Sequence, residues 1–184
     1  MGQPKERLLL DGETMLDRQI RLLHGVCRTV GVLGPPERIR DLGLPVIPDV
    51  LPDRGPLGGI FTGLLQSSTE FNLFLSCDLP LMRQRFLHYL CLQALAEEAD
   101  VTVGQTIARG LQPLAAVYRR RALWAIRRSL ERGENKISRF FPHVRCRVLS
   151  PAELARAGFS ARIFVNMNTR EDYETVKRIL NCEL

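Results

Sequence analysis

The segment at residues 71–80, Phe-Asn-Leu-Phe-Leu-Ser-Cys-Asp-Leu-Pro, constrains the fold more than any other part of the chain. Its apolar run is short enough to be a buried strand. Pro80 cannot continue a strand ladder and disfavours helix at Leu79, so Asp78 is predicted to lie on a fixed loop at the carboxyl end of this strand. Ligands bind at that edge of open α/β sheets.

The carboxylate of Asp78 allows two interpretations. A lone carboxylate at such an edge suits a hard cation such as Mg²⁺, which keeps most of its waters and shares its oxygens with substrate phosphates. The same side chain is also of the type that caps a following helix. The segment by itself favours neither interpretation.

Short apolar runs alternate with amphipathic stretches over the rest of the sequence. Apolar spacing and capping residues predict helices at residues 15–24, 37–42, 83–98 and 122–131 and from Thr169 onward. Thr14 is predicted to cap the first of these helices, and Ser150 with Glu153 has a capping-box pattern for a further brief helix that ends at Gly158. Strands are predicted at residues 28–33, 45–47, 71–75, 101–103, 114–118, 144–149 and 163–165, with a loop or hairpin at residues 108–110. This alternation indicates an α/β fold with a parallel sheet. No repeat or linker interrupts residues 1–184, so we expect a single domain.

A helix that begins at Gly55-Pro56 contains an unusual number of glycines. Proline is well placed in the first turn, and Gly58, Gly59 and Gly63 leave one side of the helix nearly bare. Glycine inside a helix costs about 0.5–1 kcal/mol relative to alanine. We therefore expect this helix to approach either a ligand or the sheet closely, and tight packing on the sheet explains Gly63 as well as a ligand does.

Composition argues against several classes of protein. No apolar run approaches the ~20 residues that a membrane span needs, so we expect no membrane segment. The five cysteines are scattered without a Cys-x-x-Cys pair, and the three histidines form no cluster of metal ligands. A structural zinc site or a disulfide framework is therefore not expected, and a reducing cytoplasm is the favoured compartment.

The net charge of +6 is concentrated in arginines, with local clusters at residues 119–121 and 127–128. No interleaved aromatic residues of a base-stacking kind accompany them, and Trp124 lies at a helical spacing that predicts packing. A solvated helix face is the favoured interpretation. An anionic small ligand comes next, and nucleic acid last.

Five separated motifs occur in one order along nearly the whole chain. They are Met1-Gly2-Gln3-Pro4-Lys5 with Leu8-Leu9-Leu10-Asp11-Gly12, Gly55-Pro56-Leu57-Gly58-Gly59-Ile60, Cys77-Asp78-Leu79-Pro80, Gln112-Pro113-Leu114 and Val165-Asn166-Met167-Asn168-Thr169. In this set the chain resembles the MobA-like nucleotidyltransferases. The combination of Gly-Pro-Leu-Gly-Gly with Asn-Met-Asn-Thr is most similar to the molybdenum cofactor guanylyltransferase branch.

The resemblance implies a single-domain, Rossmann-like nucleotidyltransferase fold, with a mostly parallel twisted sheet and helices on both faces. It implies an enzyme that uses Mg²⁺ to transfer GMP from GTP to molybdopterin and releases pyrophosphate. GTP and molybdopterin are the implied partners, together with molybdoenzyme chaperones or other cofactor-biosynthesis proteins. Neither nucleic acid nor a membrane is expected as a partner.

The resemblance also assigns roles to single residues. Asp78 holds the Mg²⁺ between the nucleotide and acceptor phosphates. Lys5 stabilises the pyrophosphate leaving group as a point charge, with a solvated lysine as the plainer alternative. Asp49 matches the aspartate that the family uses at the nucleotide site, and Gly55 and Gly58 let the backbone approach the nucleotide.

Asn166 and Asn168 match a pair that the family places near the pterin. Side-chain amides both donate to and accept from a heterocycle, which suits that role. Each asparagine is equally suited to capping the last helix. Both interpretations stay open at the level of sequence.

The sequence departs from the family at its start. Full-length relatives begin with a buried central strand and a Leu-Ala-Gly-Gly-x-Ser-x-Arg-Met-Gly loop, which cradles the triphosphate. The present sequence starts at the final Met-Gly of that loop, so we expect the first strand and most of the loop to be absent from it. An asparagine expected after the second strand is also not evident, and Gly31 falls near its place.

Two alternative functions follow from these departures. The first is a related nucleotidyltransferase with another acceptor or base, of the cytidylyl or sugar-phosphate type. The second is a non-catalytic protein that binds a nucleotide or cofactor.

Overall fold

The computed structural model describes residues 8–37, 39 and 42–182. Its helices are α1 (Met15–His24), α2 (Gly55–Gln66), α3 (Gln84–Ala96), α4 (Leu123–Glu131), α5 (Ile137–Phe140), α6 (Pro151–Arg156) and α7 (Arg170–Cys182). Its strands are β1 (Leu9–Leu10), β2 (Glu13–Thr14), β3 (Val32–Leu33), β4 (Val46–Ile47), β5 (Phe71–Leu75), β6 (Val101–Thr106), β7 (Gly110–Arg119) and β8 (Cys146–Leu149). The helix predicted at residues 37–42 includes residues 38, 40 and 41, which lie outside the described part.

Four strands form the main sheet in the order β5-β7-β6-β8. β7 is antiparallel to both of its neighbours, pairing Arg119 with Phe71 and Tyr118 with Val101, whereas β6 and β8 are parallel. The α/β class is confirmed, and within it the sheet is mixed. For β6 and β7 the reason is that they are joined by the short hairpin expected near residues 108–110, and a short connection of this kind forces neighbouring strands to be antiparallel.

Alternate residues of β7 face two separate hydrophobic clusters. Ala115 and Val117 pack with buried residues of α1, α3 and α6, while Ala116 and Tyr118 pack with buried residues of α2, α4 and α5. This alternation is the period of two that a strand buried on both faces requires. The sheet is therefore covered by helices on both sides, as expected.

A cleft of about 960 Å³ lies between β3 and β5, and its lining is mostly apolar. Within the described residues, β3 pairs in parallel with β4 alone, and β5 pairs with β7 alone. The cleft therefore separates two groups of strands. The resemblance predicts a further strand in the centre of the sheet.

Two sequence predictions about β structure need correction. The strand predicted at residues 28–33 is reduced to the two residues of β3. The strand predicted at residues 163–165 is wrong, because Ala161–Phe164 forms a 3₁₀ turn that begins where the Ser160 side chain accepts the N–H of Arg162 at 3.3 Å. A short apolar run that is buried does not distinguish a strand from a helical turn by periodicity.

Trp124 does not pack inside the protein, contrary to the prediction. Its side chain is 64% exposed, and α4 instead buries Ile126 and Leu130, which lie four residues apart on the opposite side of the helix. The side of α4 that faces the core is therefore the one that carries Ile126 and Leu130, and the indole of Trp124 lies in solvent.

The predicted helix caps are confirmed. Thr14 accepts the N–H of Asp17 at 3.1 Å at the start of α1. Ser150 and Glu153 form a reciprocal capping box at the start of α6. Among the described residues, no helix combines the length and the hydropathy that a membrane span requires.

Glu153 in α6 makes the stability of the fold depend on pH. Its carboxylate accepts hydrogen bonds from Arg147 Nη2 at 2.7 Å and from the N–H and hydroxyl of Ser150 at 3.0 and 2.9 Å. These contacts, led by the one from Arg147, lower the pKa of Glu153 from its ordinary 4.5 to about 2. A pKa that folding lowers adds stability above the ordinary pKa, and this stability is lost as the pH falls through the folded value.

We expect Glu153→Gln to lower the free energy of unfolding at neutral pH and to flatten its decline between pH 4.5 and about 2. Urea unfolding followed by circular dichroism over a pH series measures both effects. Glu131→Gln is the matched control, because Glu131 forms only an exposed pair with Arg127 on α4. A Glu153→Gln profile parallel to that of the unmodified chain in this pH range contradicts the prediction.

Candidate functional site

Asp78 lies on a short turn directly after β5, as the sequence predicts. It does not cap α3, because that helix starts at Gln84 and its capping position is held by Arg83, whose side chain makes no capping hydrogen bond. The Asp78 carboxylate is half-buried, and its Oδ2 accepts a hydrogen bond from Asn166 Nδ2 at 3.2 Å. The structure thus rejects the capping interpretation and brings Asp78 together with Asn166, one of the two asparagines singled out in the sequence.

Helix α1 fixes the loop that follows Asp78. Gln19 Nε2 donates to the carbonyl oxygen of Leu79 at 2.9 Å, and Arg18 Nε donates to that of Pro80 at 2.9 Å. Gln19 is 3% exposed, and its Oε1 is buried without a hydrogen-bond partner in the described part of the chain. Two adjacent side chains of α1 therefore hold the loop that carries Asp78.

Sequence reasoning missed this contact between α1 and the loop. One signal was available, because Gln19 lies four residues after Met15 and three before Leu22, on the buried side of α1. A polar side chain at such a position needs a hydrogen-bond partner. Nothing in the sequence identified the partner, which lies 60 residues further along the chain.

The segment before α7 reaches the same loop from another side. The N–H of Met167 donates to the carbonyl oxygen of Asp78 at 2.8 Å, and Met167 is 1% exposed. It belongs to a small hydrophobic cluster that joins β1, α1, the loop after Asp78 and α7, with members Leu10, Met15, Leu81, Met167 and Val176. This cluster anchors Asn166 and Asn168 beside the loop.

The cap of α7 involves residues other than Asn166. Thr169 Oγ1 accepts the N–H of Asp172 at 3.1 Å, and Asp172 Oδ2 accepts the N–H groups of Asn168 and Thr169 at 2.9 and 2.8 Å. These hydrogen bonds lower the pKa of Asp172, with the one from the Asn168 N–H as the largest contribution. Because α7 begins at Arg170 and Thr169 holds the position before it, the capping interpretation of Asn166 is wrong.

Asp49, Gly55 and Gly58 lie around the start of α2. Asp49 is exposed after β4, and its Oδ1 would lie 3.8 Å from a Cβ built on Gly59. Gly55 has φ +59°, a conformation that favours glycine. A Cβ on Gly58 would come within 2.7 Å of the Arg54 Cβ, so close approach of the chain's own loop accounts for this glycine.

Gly63 packs tightly on the sheet, as one of the two interpretations predicts. A Cβ there would lie 2.6 Å from the ring of Phe74 and 3.2 Å from Leu33. Gly59 and Cys77 both line the cleft between β3 and β5. Asp49 lies beside Gly59, and Asp78 follows Cys77 in the sequence, so each aspartate is next to a residue that lines the cleft.

The donor set around Asp78 fits a cation that is shared with a ligand. The described residues contain no group of three or more histidine, cysteine or acidic side chains that could form a complete metal cage. Asn166 holds only one carboxylate oxygen of Asp78, and Oδ1 makes no hydrogen bond within the described residues. A single free carboxylate oxygen suits Mg²⁺ that takes its other ligands from water and phosphates. Lys5 lies outside the described residues.

Two of the cysteines that line the cleft, Cys27 and Cys91, do not fit a nucleophilic role. Burial raises the pKa of each of these thiols. For Cys91, burial together with the nearby Cys27 raises the pKa to about 11. The thiolate is the nucleophilic form of cysteine, and these two side chains are protonated at neutral pH.

Comparisons of the sequence with a family model and with curated proteins match the chain to the same family. The family model described as a MobA-like NTP transferase domain matches residues 1–148. A molybdenum cofactor guanylyltransferase of Desulfosudis oleivorans is 31% identical over 182 residues, which cover 98% of this chain and 89% of the relative. A probable molybdenum cofactor guanylyltransferase of Carboxydothermus hydrogenoformans is 28% identical, with coverage of 100% and 91%.

Comparison of the structure gives the same type of fold. Molybdopterin-guanine dinucleotide biosynthesis protein A from Archaeoglobus fulgidus has a TM-score of 0.82 at 18% identity, with coverage of 98% of this chain and 92% of that protein. The 2-C-methyl-D-erythritol 4-phosphate cytidylyltransferase from Thermus thermophilus has a TM-score of 0.70 at 12% identity, with coverage of 97% and 94%. At these identities the likeness shows a shared nucleotidyltransferase-like α/β fold.

We expect Gln19→Met to destabilise the fold, because the buried carbonyl oxygen of Leu79 loses its side-chain donor and keeps only the N–H of Met82, at 3.2 Å. The loss of the free energy of unfolding should be about 0.5–1.5 kcal/mol, the usual net contribution of one intramolecular hydrogen bond. Gln84→Met is the matched control, since its Nε2 also donates to a backbone carbonyl, that of Gly25, but at an exposed site and 3.4 Å. Urea unfolding measures both variants, and equal losses contradict a special role for Gln19.

Proposed function

The chain belongs to the MobA-like NTP transferase family, and on that premise we propose that it transfers GMP from GTP to molybdopterin, giving the guanine dinucleotide cofactor and pyrophosphate. The observation that carries this proposal is the hydrogen bond from Asn166 to Asp78. It joins the carboxylate assigned to the metal with a side chain assigned to the pterin, in motifs that are 88 residues apart. A site that must hold two substrates next to each other needs contact between the residues that bind each of them.

In the proposed reaction, an oxygen of the terminal phosphate of molybdopterin attacks the α-phosphorus of GTP. The new P–O bond forms as the bond to the β-phosphate oxygen breaks, and pyrophosphate leaves. All reacting groups are anionic, so the work of the protein is to position them and to offset their charge. Mg²⁺ bound at Asp78 supplies part of that charge.

The residues of the chain have separate roles in this proposal. Asn166 orients the Asp78 carboxylate so that Oδ1 points away from their shared hydrogen bond, and Asn168 faces the pterin with it. Asp49 and Gly55, next to the start of α2, contact the nucleotide. Lys5 neutralises the pyrophosphate.

The proposal also covers the cellular compartment of the protein and the proteins that receive its product. Thiols persist in a reducing compartment, and Cys27, Cys77, Cys91 and Cys146 form no disulfide, which supports a cytoplasmic location. We include molybdoenzyme chaperones or other proteins of cofactor biosynthesis as recipients of the product.

We expect Asp78→Asn to reduce turnover on the order of 100-fold or more, because an amide does not offset the charge of a cation as a carboxylate does. Pyrophosphate release from GTP in the presence of molybdopterin and Mg²⁺ measures the rate, and thermal unfolding checks that the fold persists. Asp11→Asn is the matched control, since Asp11 is an exposed turn residue whose φ of 51° asparagine also tolerates. Turnover of Asp78→Asn within a few-fold of the parent removes Asp78 from the metal role.

We expect GTP to be used at least about tenfold better than CTP in kcat/KM, a difference that about 1.4 kcal/mol of selective binding produces. Parallel assays with molybdopterin and each nucleotide measure the ratio. Preference for CTP would identify a cytidylyl-type enzyme instead. Binding of GTP and Mg²⁺ by calorimetry without any transfer would identify a non-catalytic binding protein.

A further inference from the structure

A second concave site lies at the end of the sheet away from Asp78. It is a pocket of about 420 Å³ whose lining includes Asp100, Arg121, Trp124, Arg128, Arg132 and His143. Asp100 precedes β6, and Arg121 follows β7, whose residue Arg119 pairs with Phe71 at the start of β5. Asp78 follows the other end of β5, a strand length of roughly 17 Å away. This pocket, which we call the α4 pocket, is therefore distinct from the candidate catalytic site.

Trp124 gives the α4 pocket an exposed apolar wall. The indole is 64% exposed although tryptophan is the largest apolar side chain, and it is the only tryptophan in the chain. Arg128 lies four residues later, on the same side of α4 as Trp124. An exposed guanidinium group therefore lies next to an exposed indole ring.

The charges around the α4 pocket leave a positive group available. Asp100 is already neutralised, because one carboxylate oxygen accepts from Arg121 Nε and the other accepts the N–H of Arg145 at 2.8 Å. Arg132 forms an ion pair with Glu134 at 3.1 Å. The Arg128 side chain is exposed and makes no hydrogen bond or ion pair with a described residue, so its guanidinium N–H groups can donate to a ligand.

We propose that the α4 pocket binds an acidic segment of a partner protein. A carboxylate of the partner pairs with Arg128, in the bidentate geometry that guanidinium groups favour, and a neighbouring apolar or aromatic side chain packs on Trp124. Tryptophan and arginine are the residue types most enriched among the energetically dominant residues of protein interfaces.

A protein fits the α4 pocket better than a nucleic acid does. Single-stranded nucleic acid needs a run of aromatic residues on which successive bases stack, along a groove of uniform positive charge. Here Trp124 and His143 are the exposed aromatic side chains of the lining, too few for a run of stacked bases, and the carboxylates of Asp100 and Glu134 interrupt the positive surface. A short acidic segment needs only a local positive group and one apolar contact.

The single tryptophan makes the proposal directly measurable. Fluorescence excited at the long-wavelength edge of tryptophan absorption comes from Trp124 alone, and this residue lines the α4 pocket. The probe is a synthetic blocked peptide, Glu-Glu-Phe-Asp-Glu, titrated into the full chain at low salt. We expect a blue shift or quenching of the emission that saturates at micromolar peptide. Added NaCl should weaken binding, since screening reduces the attraction between exposed charges.

Matched variants test the residues. Arg128→Gln should weaken binding about tenfold, as loss of an interface arginine does, while Arg156→Gln, an exposed arginine on α6 at the opposite face of the sheet, should leave it unchanged. Trp124→Ala is followed with a fluorescein-labelled peptide by anisotropy and should also bind at least tenfold more weakly. The amide peptide Gln-Gln-Phe-Asn-Gln should not bind.

Three results would overturn the proposal. One is the absence of any emission change up to millimolar acidic peptide. Another is equal affinity of the peptide for Arg128→Gln and the parent chain, with unfolding curves showing that both are folded. The third is a single-stranded oligonucleotide that binds more tightly than the peptide and displaces it, which would make the α4 pocket a nucleic-acid surface.

Discussion

Three successive carbonyl oxygens in the loop after β5 accept hydrogen bonds from distant parts of the chain, and the candidate site depends on them. The oxygen of Asp78 accepts from the Met167 N–H, that of Leu79 from the Gln19 side chain, and that of Pro80 from the Arg18 side chain. A loop outside any strand ladder that is this deeply buried must satisfy its backbone groups by such means. The position of the Asp78 carboxylate therefore follows from α1 and from the segment before α7.

The mixed sheet gives this loop a rigid support. β7 is ten residues long and lies between β5 and β6, so β5 is held along its whole length on one side. Tyr118 of β7 is fully buried, and its hydroxyl donates to the carbonyl of Pro113 at 2.9 Å within the same strand. Burial raises the pKa of that hydroxyl, which keeps it protonated as a donor. The pairing with β7 therefore also holds the end of β5, from which the chain enters the turn that carries Asp78.

The parts of the fold that the sequence predicted are those governed by local chemistry. The loop after β5 follows from the restrictions that Pro80 imposes, and the cap at Ser150 follows from its spacing to Glu153. The exposure of Trp124 and the 3₁₀ turn at Ala161–Phe164 were not predictable in the same way, because each depends on which face the tertiary structure covers. The same apolar letters are compatible with either outcome until the packing is known.

Prediction of the candidate site from sequence meets the same limit, because the site depends on a contact between distant residues. Asp78 and Asn166 were each recognisable from their own motif, but their hydrogen bond joins positions 88 residues apart. Under the proposed function this contact would couple the two roles. A ligand that draws the Asn166 amide away would leave Asp78 Oδ2 without its donor, and a cation on Asp78 would weaken the hydrogen bond between the carboxylate and the amide. Reciprocity of binding free energies then requires that the metal and the pterin-side ligand alter the affinity of the site for each other by the same factor. In the proposed site, the hydrogen bond between the two side chains thus couples the affinity of the metal position to that of the pterin-side position.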